Sequence, residues 1–202
     1  MINKVFSVVN QKGGVGKTTT TINLGTAMAA IGKKVLLVDL DPQGNLSTGL
    51  GLNKNDGNPS SYDLLVNDIK IDRAIRSSAI PNLSILPADM DLSGIEIELA
   101  QYENRAKRLS NLKINSINKF DYVFIDCPPS LGILTLNALA ASDSIIVPLQ
   151  CEFFALEGLA QLIKTIERVK ANLNPALLIE GVILTMYDKR NNLSEDVVSD
   201  AK

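Results

Sequence analysis

Residues 12–18 read KGGVGKT, and they follow the apolar run VFSVV at residues 5–9. The next residues, TTTINL at 19–24, continue with a helix-like pattern. This order predicts a strand, a glycine-rich turn and the start of a helix, with the backbone N–H groups of the turn and the helix N-terminus forming a concave anion site. A solvated glycine-rich turn is the alternative, which the order of strand, turn, lysine and threonines disfavours. The stretch therefore predicts binding of a polyphosphate.

The turn departs from the general P-loop pattern G-x-x-x-x-G-K-[ST] at one position. The pattern requires a glycine at position 11, where this chain has Gln11, and a second lysine, Lys12, follows. Lys17 can reach the β- and γ-phosphates of a nucleotide, and the Thr18 hydroxyl is placed to ligate Mg²⁺. The extra lysine is the signature of the deviant P-loop. The sequence therefore predicts a nucleotide as the polyphosphate.

Composition limits the class of protein. A chain of 202 residues with 46% hydrophobic residues fits one α/β domain. The net charge of −2 provides no overall basic field, so any contact with nucleic acid requires a local patch. The sequence has no histidine, and its two cysteines, Cys127 and Cys151, fit no metal spacing. Because reduced thiols suit the cytoplasm and the apolar runs are too short to span a bilayer, we expect a cytoplasmic protein with no membrane contact.

Apolar strand-like runs alternate with helical patterns along the chain, which predicts βαβ units. We expect an α/β fold with a doubly wound, mostly parallel sheet and helices on both faces. The predicted strands are 5–9, 35–39, 83–86, 122–126, 144–148 and 177–185, and the predicted helices are 18–31, 60–67, 94–117, 131–141 and 157–172. A surface loop is predicted at 49–61. Residues 1–202 are expected to form a single domain that lacks the last strand and helices of its fold.

Two predicted strands end in carboxylates. The second strand runs into Asp39-Leu40-Asp41-Pro42-Gln43-Gly44-Asn45. Ligands of open α/β sheets bind outside the carboxyl ends of the strands, so both aspartates are predicted to point toward the phosphate site. Asp41 could orient an attacking water or hold Mg²⁺ through water, and a solvated loop carboxylate is the alternative. Asp126 follows the apolar run YVFI, and this Walker B form predicts a carboxylate that reaches Mg²⁺.

Residues 12–18, 39–45 and 126–129 together resemble the ParA/Soj partition ATPases. Further matches lie at 130–132, 150–158 and 184–190, so the resemblance covers nearly the whole chain. It implies a three-layer α/β/α P-loop NTPase fold and an ATPase with weak intrinsic activity that uses ATP/ADP and Mg²⁺. It also implies a nucleotide-sandwich homodimer that binds DNA non-specifically at the bacterial nucleoid. A ParB/Spo0J-like activator is the implied partner.

The resemblance also implies roles for single residues. Lys12 would reach the phosphates of the partner chain, as an arginine finger does, and Lys17 would bind phosphate in its own chain. Asp41 would position the hydrolytic water. The implied nucleotide-binding residues are Lys12, Gly13, Gly14, Val15, Gly16, Lys17, Thr18, Thr19, Met186, Tyr187 and Asp188, and the implied metal site consists of Thr18, Asp41 and Asp126. For Arg190 the implied role is DNA binding, and an ordinary surface arginine is the alternative.

Related classes of protein and one further function are the alternatives to this interpretation. Nitrogenase iron-protein-like chains need cysteines that bridge a cluster, metal carriers need a Cys-x-x-Cys, and neither pattern is present. MinD-like regulators carry a C-terminal amphipathic helix, and the run at 41–45 favours ParA over MinD. Because the family continues beyond the equivalent of residue 202, the alternative function is a nucleotide-binding remnant or regulatory fragment without a productive ATPase cycle.

Overall fold

The computed structural model describes residues 4–53, 57–111, 117–152 and 155–190, together with Ser194 and Val197. Seven strands form one sheet in the order β3-β4-β2-β5-β1-β6-β7. The strands are β1 Lys4–Val8, β2 Val35–Asp39, β3 Arg76–Ser77, β4 Leu83–Leu86, β5 Tyr122–Asp126, β6 Ser144–Gln150 and β7 Leu178–Thr185. Among the strand pairs that the structure describes, β3–β4 is antiparallel and the others are parallel. The prediction of a mostly parallel sheet is confirmed.

Helices cover both faces of the sheet. They are α1 Lys17–Ala30, α2 Asn45–Gly49, α3 Ser61–Val66, α4 Ile95–Leu99, α5 Arg108–Asn111, α6 Ile133–Ala141 and α7 Ala155–Asn172. Successive side chains of a strand point to opposite faces, and β2 follows this rule: Leu37 joins the apolar cluster that includes Ala29 of α1, and Leu36 joins the cluster that includes Ala138 of α6 and Leu162 of α7. Three layers, α/β/α, result.

The topology brings three strand ends together. β5 lies between β1 and β2, and the register pairs Asp126 of β5 with Val8 on one side and with Asp39 on the other. The loops that follow β1, β2 and β5 therefore meet at one edge of the sheet. Helix α1 approaches β2 closely at Gly25, where an added Cβ would lie 2.5 Å from Leu37 Cδ2. That approach keeps the helix after the glycine-rich turn tightly packed on the sheet.

One predicted element was wrong. Residues 94–117 were predicted to form one helix, and the structure has α4, a 3₁₀ turn at Arg105–Lys107 and α5 instead, with 112–116 outside the described residues. The break allows the buried guanidinium of Arg108 to reach the end of α3, where its Nε donates to the Leu65 carbonyl at 2.8 Å. Arg108 also forms an ion pair with Asp68 at 2.7 Å. Tertiary contacts of one cation thus override a continuous helical pattern.

Two smaller differences concern short elements. The two-residue strand β3 and helix α2, at 45–49, were not predicted. Residues 54–56 of the predicted loop lie outside the described residues. Gly44 precedes α2 with φ 58°, a left-handed conformation that glycine adopts readily.

Candidate functional site

A cavity of about 350 Å³ lies at the edge where the loops after β1, β2 and β5 meet. It is lined by Gly13, Gly14, Gly16, Lys17, Thr18, Thr19, Asp41, Gln43, Asn45, Pro129 and Met186. Its volume falls within the range of small-molecule and cofactor sites. The structure thus brings most of the glycine-rich turn together with one of the predicted carboxylates.

The backbone of the turn has the conformation that its glycines permit. Gly14 has φ 75° and Gly16 has φ 88°, in the left-handed region that side chains with a Cβ rarely adopt. Gly16 precedes α1, and its carbonyl accepts the Thr20 N–H at 2.8 Å. The Thr185 hydroxyl at the end of β7 donates to the Val15 carbonyl at 2.9 Å, which fixes the turn from the far side. A turn of this kind at a helix N-terminus is suited to bind phosphate.

The two lysines of the turn lie in different surroundings. Lys17 is buried and lines the cavity, and its Nζ donates to the Lys12 carbonyl at 2.8 Å. Burial lowers the pKa of Lys17, while the charges of Asp126 and Asp41 act in the opposite direction. The Lys12 side chain is not among the groups that line the cavity; it is half exposed and its Nζ forms an ion pair with Glu152. The structure therefore separates Lys12 from the phosphate site of its own chain.

Asp126 lies beneath the start of α1. The Thr18 hydroxyl donates to Asp126 Oδ2 at 2.7 Å, and the Thr21 hydroxyl lies 3.4 Å from Oδ1. Because Asp126 is fully buried, desolvation raises its pKa to about 7, and the hydrogen bond from Thr18 opposes that rise. Among the described residues, no group of three or more Asp, Glu or Cys side chains could hold a metal ion. The Thr18 hydroxyl and the Asp126 carboxylate nevertheless fit Mg²⁺, because this ion is usually held by one or two protein groups together with phosphate oxygens and waters.

The two aspartates of the 39–45 segment differ in position. Asp41 lines the cavity, and its Oδ1 accepts the Gln43 N–H at 3.0 Å. Asp39 was also predicted to point toward the phosphates, and the structure contradicts this. Its carboxylate is fully buried outside the cavity lining and accepts hydrogen bonds from Ser47. Desolvation raises the pKa of Asp39 to about 6, against those hydrogen bonds.

Of the three residues after β7 that were predicted to bind the nucleotide, one lines the cavity. Met186 lines it, with φ 52° and high exposure, whereas Tyr187 and Asp188 are not among the lining residues. Asp188 instead accepts two hydrogen bonds from the Arg190 guanidinium, at 3.0 Å from Nε and 2.7 Å from NH2. This pairing lowers the pKa of Asp188, and 84% of the Arg190 side chain is exposed.

Three residues that line the cavity had no predicted role: Gln43, Asn45 and Pro129. They lie three to six positions after the ends of β2 and β5, and that placement was the available signal. No signal in the sequence pointed to the pairing of Glu152 with Lys12.

In the described parts of the chain, every helix is too short or too polar to cross a membrane.

Known proteins resemble this chain over most of its length. The family described as AAA domain (AAA_31) matches residues 3–179. The chain is 55% identical over 201 residues to the chromosome partitioning protein ParA of Caulobacter vibrioides, and the aligned region covers 98% of this chain and 75% of that protein. It is 50% identical to the sporulation initiation inhibitor protein Soj of Bacillus subtilis, over 100% of this chain and 79% of that protein.

A solved structure agrees in fold. The structure of cobyrinic acid a,c-diamide synthase from Mycobacterium smegmatis with bound ADP and magnesium superimposes with a TM-score of 0.92. It is 42% identical and covers 98% of this chain and 81% of that chain. Given the phosphate loop, the two carboxylates beside it and the identity to ParA and Soj, the chain belongs to the ParA/Soj family of partition ATPases.

Proposed function

We propose that this chain binds ATP and Mg²⁺, dimerises in the ATP form, and binds DNA non-specifically as a dimer. Intrinsic hydrolysis is slow, and a ParB-like partner stimulates it. The observation that carries the proposal is the separation of the two lysines, with Lys17 in the cavity and Lys12 outside it. The first arrangement suits phosphate binding within one chain, and the second suits action on a second chain.

Nucleotide binding rests on the turn at 12–18 and on Lys17. The N–H groups of the turn hold the phosphate oxygens, and the Lys17 ammonium adds a positive charge at the β- and γ-phosphates. ADP and magnesium are the ligands named for the M. smegmatis structure, which supports the same class of ligand here. Thr18 and Asp126 would hold Mg²⁺, directly and through its waters. When bound, this ion neutralises charge that develops on the transferred phosphoryl group.

Hydrolysis rests on Asp41. Its carboxylate lies at the cavity wall and is nine-tenths buried, so it can hold a water in line with the terminal phosphate. Phosphoryl transfer depends mainly on positioning and charge stabilisation, so Asp41 need not be a strong base.

Dimerisation rests on Lys12. Its side chain is 49% exposed and carries a positive charge beside the phosphate loop without entering the cavity. In a sandwich of two chains, Lys12 of each chain supplies charge to the phosphates of the other, in the manner of an arginine finger. Hydrolysis then requires a dimer.

DNA binding rests on an exposed cation close to the site. Arg190 follows the cavity residue Met186 by four positions and is 84% exposed on its side chain. A dimer presents two such guanidiniums, and each has to exchange its ion pair with Asp188 for a contact with phosphate. A chain of net charge −2 needs more than one such contact to bind a polyanion. Binding of DNA should therefore depend on ATP.

A partition role is favoured over a biosynthetic one by sequence identity. The partition protein ParA is 55% identical to this chain, whereas the structure named as a diamide synthase is 42% identical. The competing function is a nucleotide-binding module without a productive ATPase cycle. Substitution of Asp41 distinguishes the two functions.

Steady-state ATPase assays on the wild type, Asp41→Ala and the exposed control Glu103→Ala provide the test. We expect Asp41→Ala to abolish hydrolysis and Glu103→Ala to leave it unchanged. If the wild type and Asp41→Ala hydrolysed ATP equally, the chain would be a binding module only. Fluorescence anisotropy with labelled DNA then compares ATP with ADP, and equal binding in the two would contradict ATP-dependent DNA binding.

A further inference from the structure

Asp39 has an unusual environment for a carboxylate. It is the last residue of β2 and is 0% exposed. Three donors surround its side chain: Oδ2 accepts the Ser47 hydroxyl at 2.7 Å and the Ser47 N–H at 2.9 Å, and Oδ1 accepts the Asp41 N–H at 3.2 Å. Burial of a carboxylate is costly unless such hydrogen bonds satisfy it, and one of them comes from an N–H in the first turn of α2.

The hydrogen bonds of Asp39 converge on the segment that forms one wall of the cavity. That wall consists of Asp41, Gln43 and Asn45. The residues that donate to Asp39 are Asp41, at one end of this segment, and Ser47, two positions beyond its other end. Asp39 therefore contacts both ends of the segment: the turn at Asp41 and helix α2 at Ser47. It reaches the cavity only through them.

Ser47 extends the contact to a third segment. Its hydroxyl oxygen accepts the Ala88 N–H at 3.2 Å, just after β4. The main-chain carbonyl of Asp39 in turn accepts the Ser61 hydroxyl at 2.8 Å, at the start of α3. Through its carboxylate and its main-chain carbonyl, Asp39 is thus the centre of a buried network that joins β2, α2, α3 and the residues after β4.

We propose that Asp39 is a positioning residue for hydrolysis, which holds the Asp41 turn and the start of α2 at the distance from the phosphate loop that in-line attack requires. The inference rests on the proposed role of Asp41 in orienting water. Asp39 itself lies outside the cavity lining, so it acts through Asp41. Misplacement of a reacting group by about 1 Å can cost about 100-fold in rate, so a loosened turn is expected to affect turnover strongly.

The geometry predicts that an amide cannot replace the carboxylate. All three partners donate, so the two oxygens of Asp39 are both needed as acceptors. In Asp39→Asn the amide oxygen can keep both bonds from Ser47, and the NH₂ group then faces the Asp41 N–H, donor against donor. The substitution therefore releases the Asp41 turn while it leaves α2 attached.

The test compares turnover and nucleotide affinity for Asp39→Asn and the wild type, with Asp41→Ala as the inactive reference. We expect Asp39→Asn to lower kcat by about 10- to 100-fold and to change the affinity for a fluorescent ATP analogue by less than about 3-fold. A purely structural role would instead lower the analogue affinity and the folded fraction together with kcat.

A second variant covers the case in which Asp39→Asn does not fold, as judged by circular dichroism. Ser47→Ala removes the 2.7 Å hydroxyl bond and leaves the N–H bond, so we expect a loss in kcat of a few-fold with unchanged analogue affinity. Wild-type turnover in Asp39→Asn, or in Ser47→Ala if that is the variant available, would overturn the inference as long as Asp41→Ala is inactive. If Asp41→Ala were as active as wild type, the proposed function itself would fail instead.

Discussion

Lys12 and Glu152 form an ion pair within one chain, between the phosphate loop and the segment that follows β6. The Lys12 ammonium, which we propose acts on the phosphates of a partner chain, is thus paired with a carboxylate of its own chain. Gln11 beside it donates to the Gly158 carbonyl at 3.3 Å and to Gln161 Oε1 at 3.0 Å, so the same segment and α7 contact two consecutive loop residues. In the proposed sandwich dimer, Lys12 has to exchange its contact with Glu152 for a contact with the second chain.

Lys12→Ala should separate nucleotide binding from hydrolysis. Because Lys17 remains in the cavity, we expect binding of a fluorescent ATP analogue to persist. ATP-dependent dimerisation should be lost and hydrolysis should fall by about 10³-fold or more, the range for a cation supplied in trans. Analytical ultracentrifugation and steady-state assays measure both, with Lys33→Ala at an exposed position as the control. A monomeric and fully active Lys12→Ala protein would overturn the role in trans.

Glu152→Gln should make dimerisation easier. The pair is partly exposed, at 49% for Lys12 and 28% for Glu152, so breaking it costs about 0.2–1 kcal/mol. Because the dimer breaks one such pair in each chain, removal of both costs should lower the dimer dissociation constant in ATP by about 2- to 30-fold. Sedimentation over a range of protein concentrations measures the shift, and Glu167→Gln on the exposed side of α7 serves as the control. Weaker dimerisation in Glu152→Gln would mean that Glu152 supports the dimer instead of restraining Lys12.

Arg190→Ala should weaken DNA binding by the ATP form and reduce its dependence on salt. Each phosphate contact that is lost lowers the slope of log K against log salt by about 0.9, so a dimer that loses two should change by about 2. Anisotropy titrations at several salt concentrations measure the slope, with Arg73→Ala as the exposed arginine control. An unchanged affinity and slope would make Arg190 an ordinary surface residue whose contact is the ion pair with Asp188.

Asp126→Asn should stabilise the protein at high pH while it impairs hydrolysis. The pKa of Asp126 is raised from 3.8 to about 7, so the folded state holds this proton more tightly than the unfolded chain does. The resulting stability is complete below the unfolded pKa and is lost as the pH rises through about 7. A shift of this size corresponds to a few kcal/mol, at about 1.4 kcal/mol per pKa unit.

Thermal unfolding without nucleotide measures this effect. We expect the Tm of Asp126→Asn to exceed that of the wild type at pH 8, by about 2–4 °C for each kcal/mol gained, and the difference to shrink toward pH 5. Asp91→Asn, at an exposed aspartate, provides the comparison. A Tm difference independent of pH would show that titration of Asp126 does not contribute.

The sheet and the phosphate loop could be predicted because their causes are local. Strands such as 35–39 and 122–126 are unbroken apolar runs, and their observed bounds agree with the prediction at both ends. The loop at 12–18 needs particular residues at particular places, and Gly14 and Gly16 occupy the left-handed positions. Spacing and residue type are sufficient for such features.

Other features depend on distant parts of the chain. The break between α4 and α5 follows from the contacts of Arg108 with Leu65 and Asp68, about forty positions away. The orientation of the buried Asp39 side chain depends on Ser47, and the pairing of Lys12 depends on Glu152. A pattern of residue types does not specify which polar partner a side chain finds across the fold. The sequence therefore located the site, but the prediction that the Asp39 carboxylate points toward the phosphates was wrong.

The hydrogen bond from Lys17 Nζ to the Lys12 carbonyl joins the two lysines of the phosphate loop. An ammonium has three protons, so Lys17 can donate to that carbonyl and to phosphate oxygens at the same time. In the proposed dimer, one side chain would therefore connect the ligand of one chain to the backbone of the residue that serves the other chain.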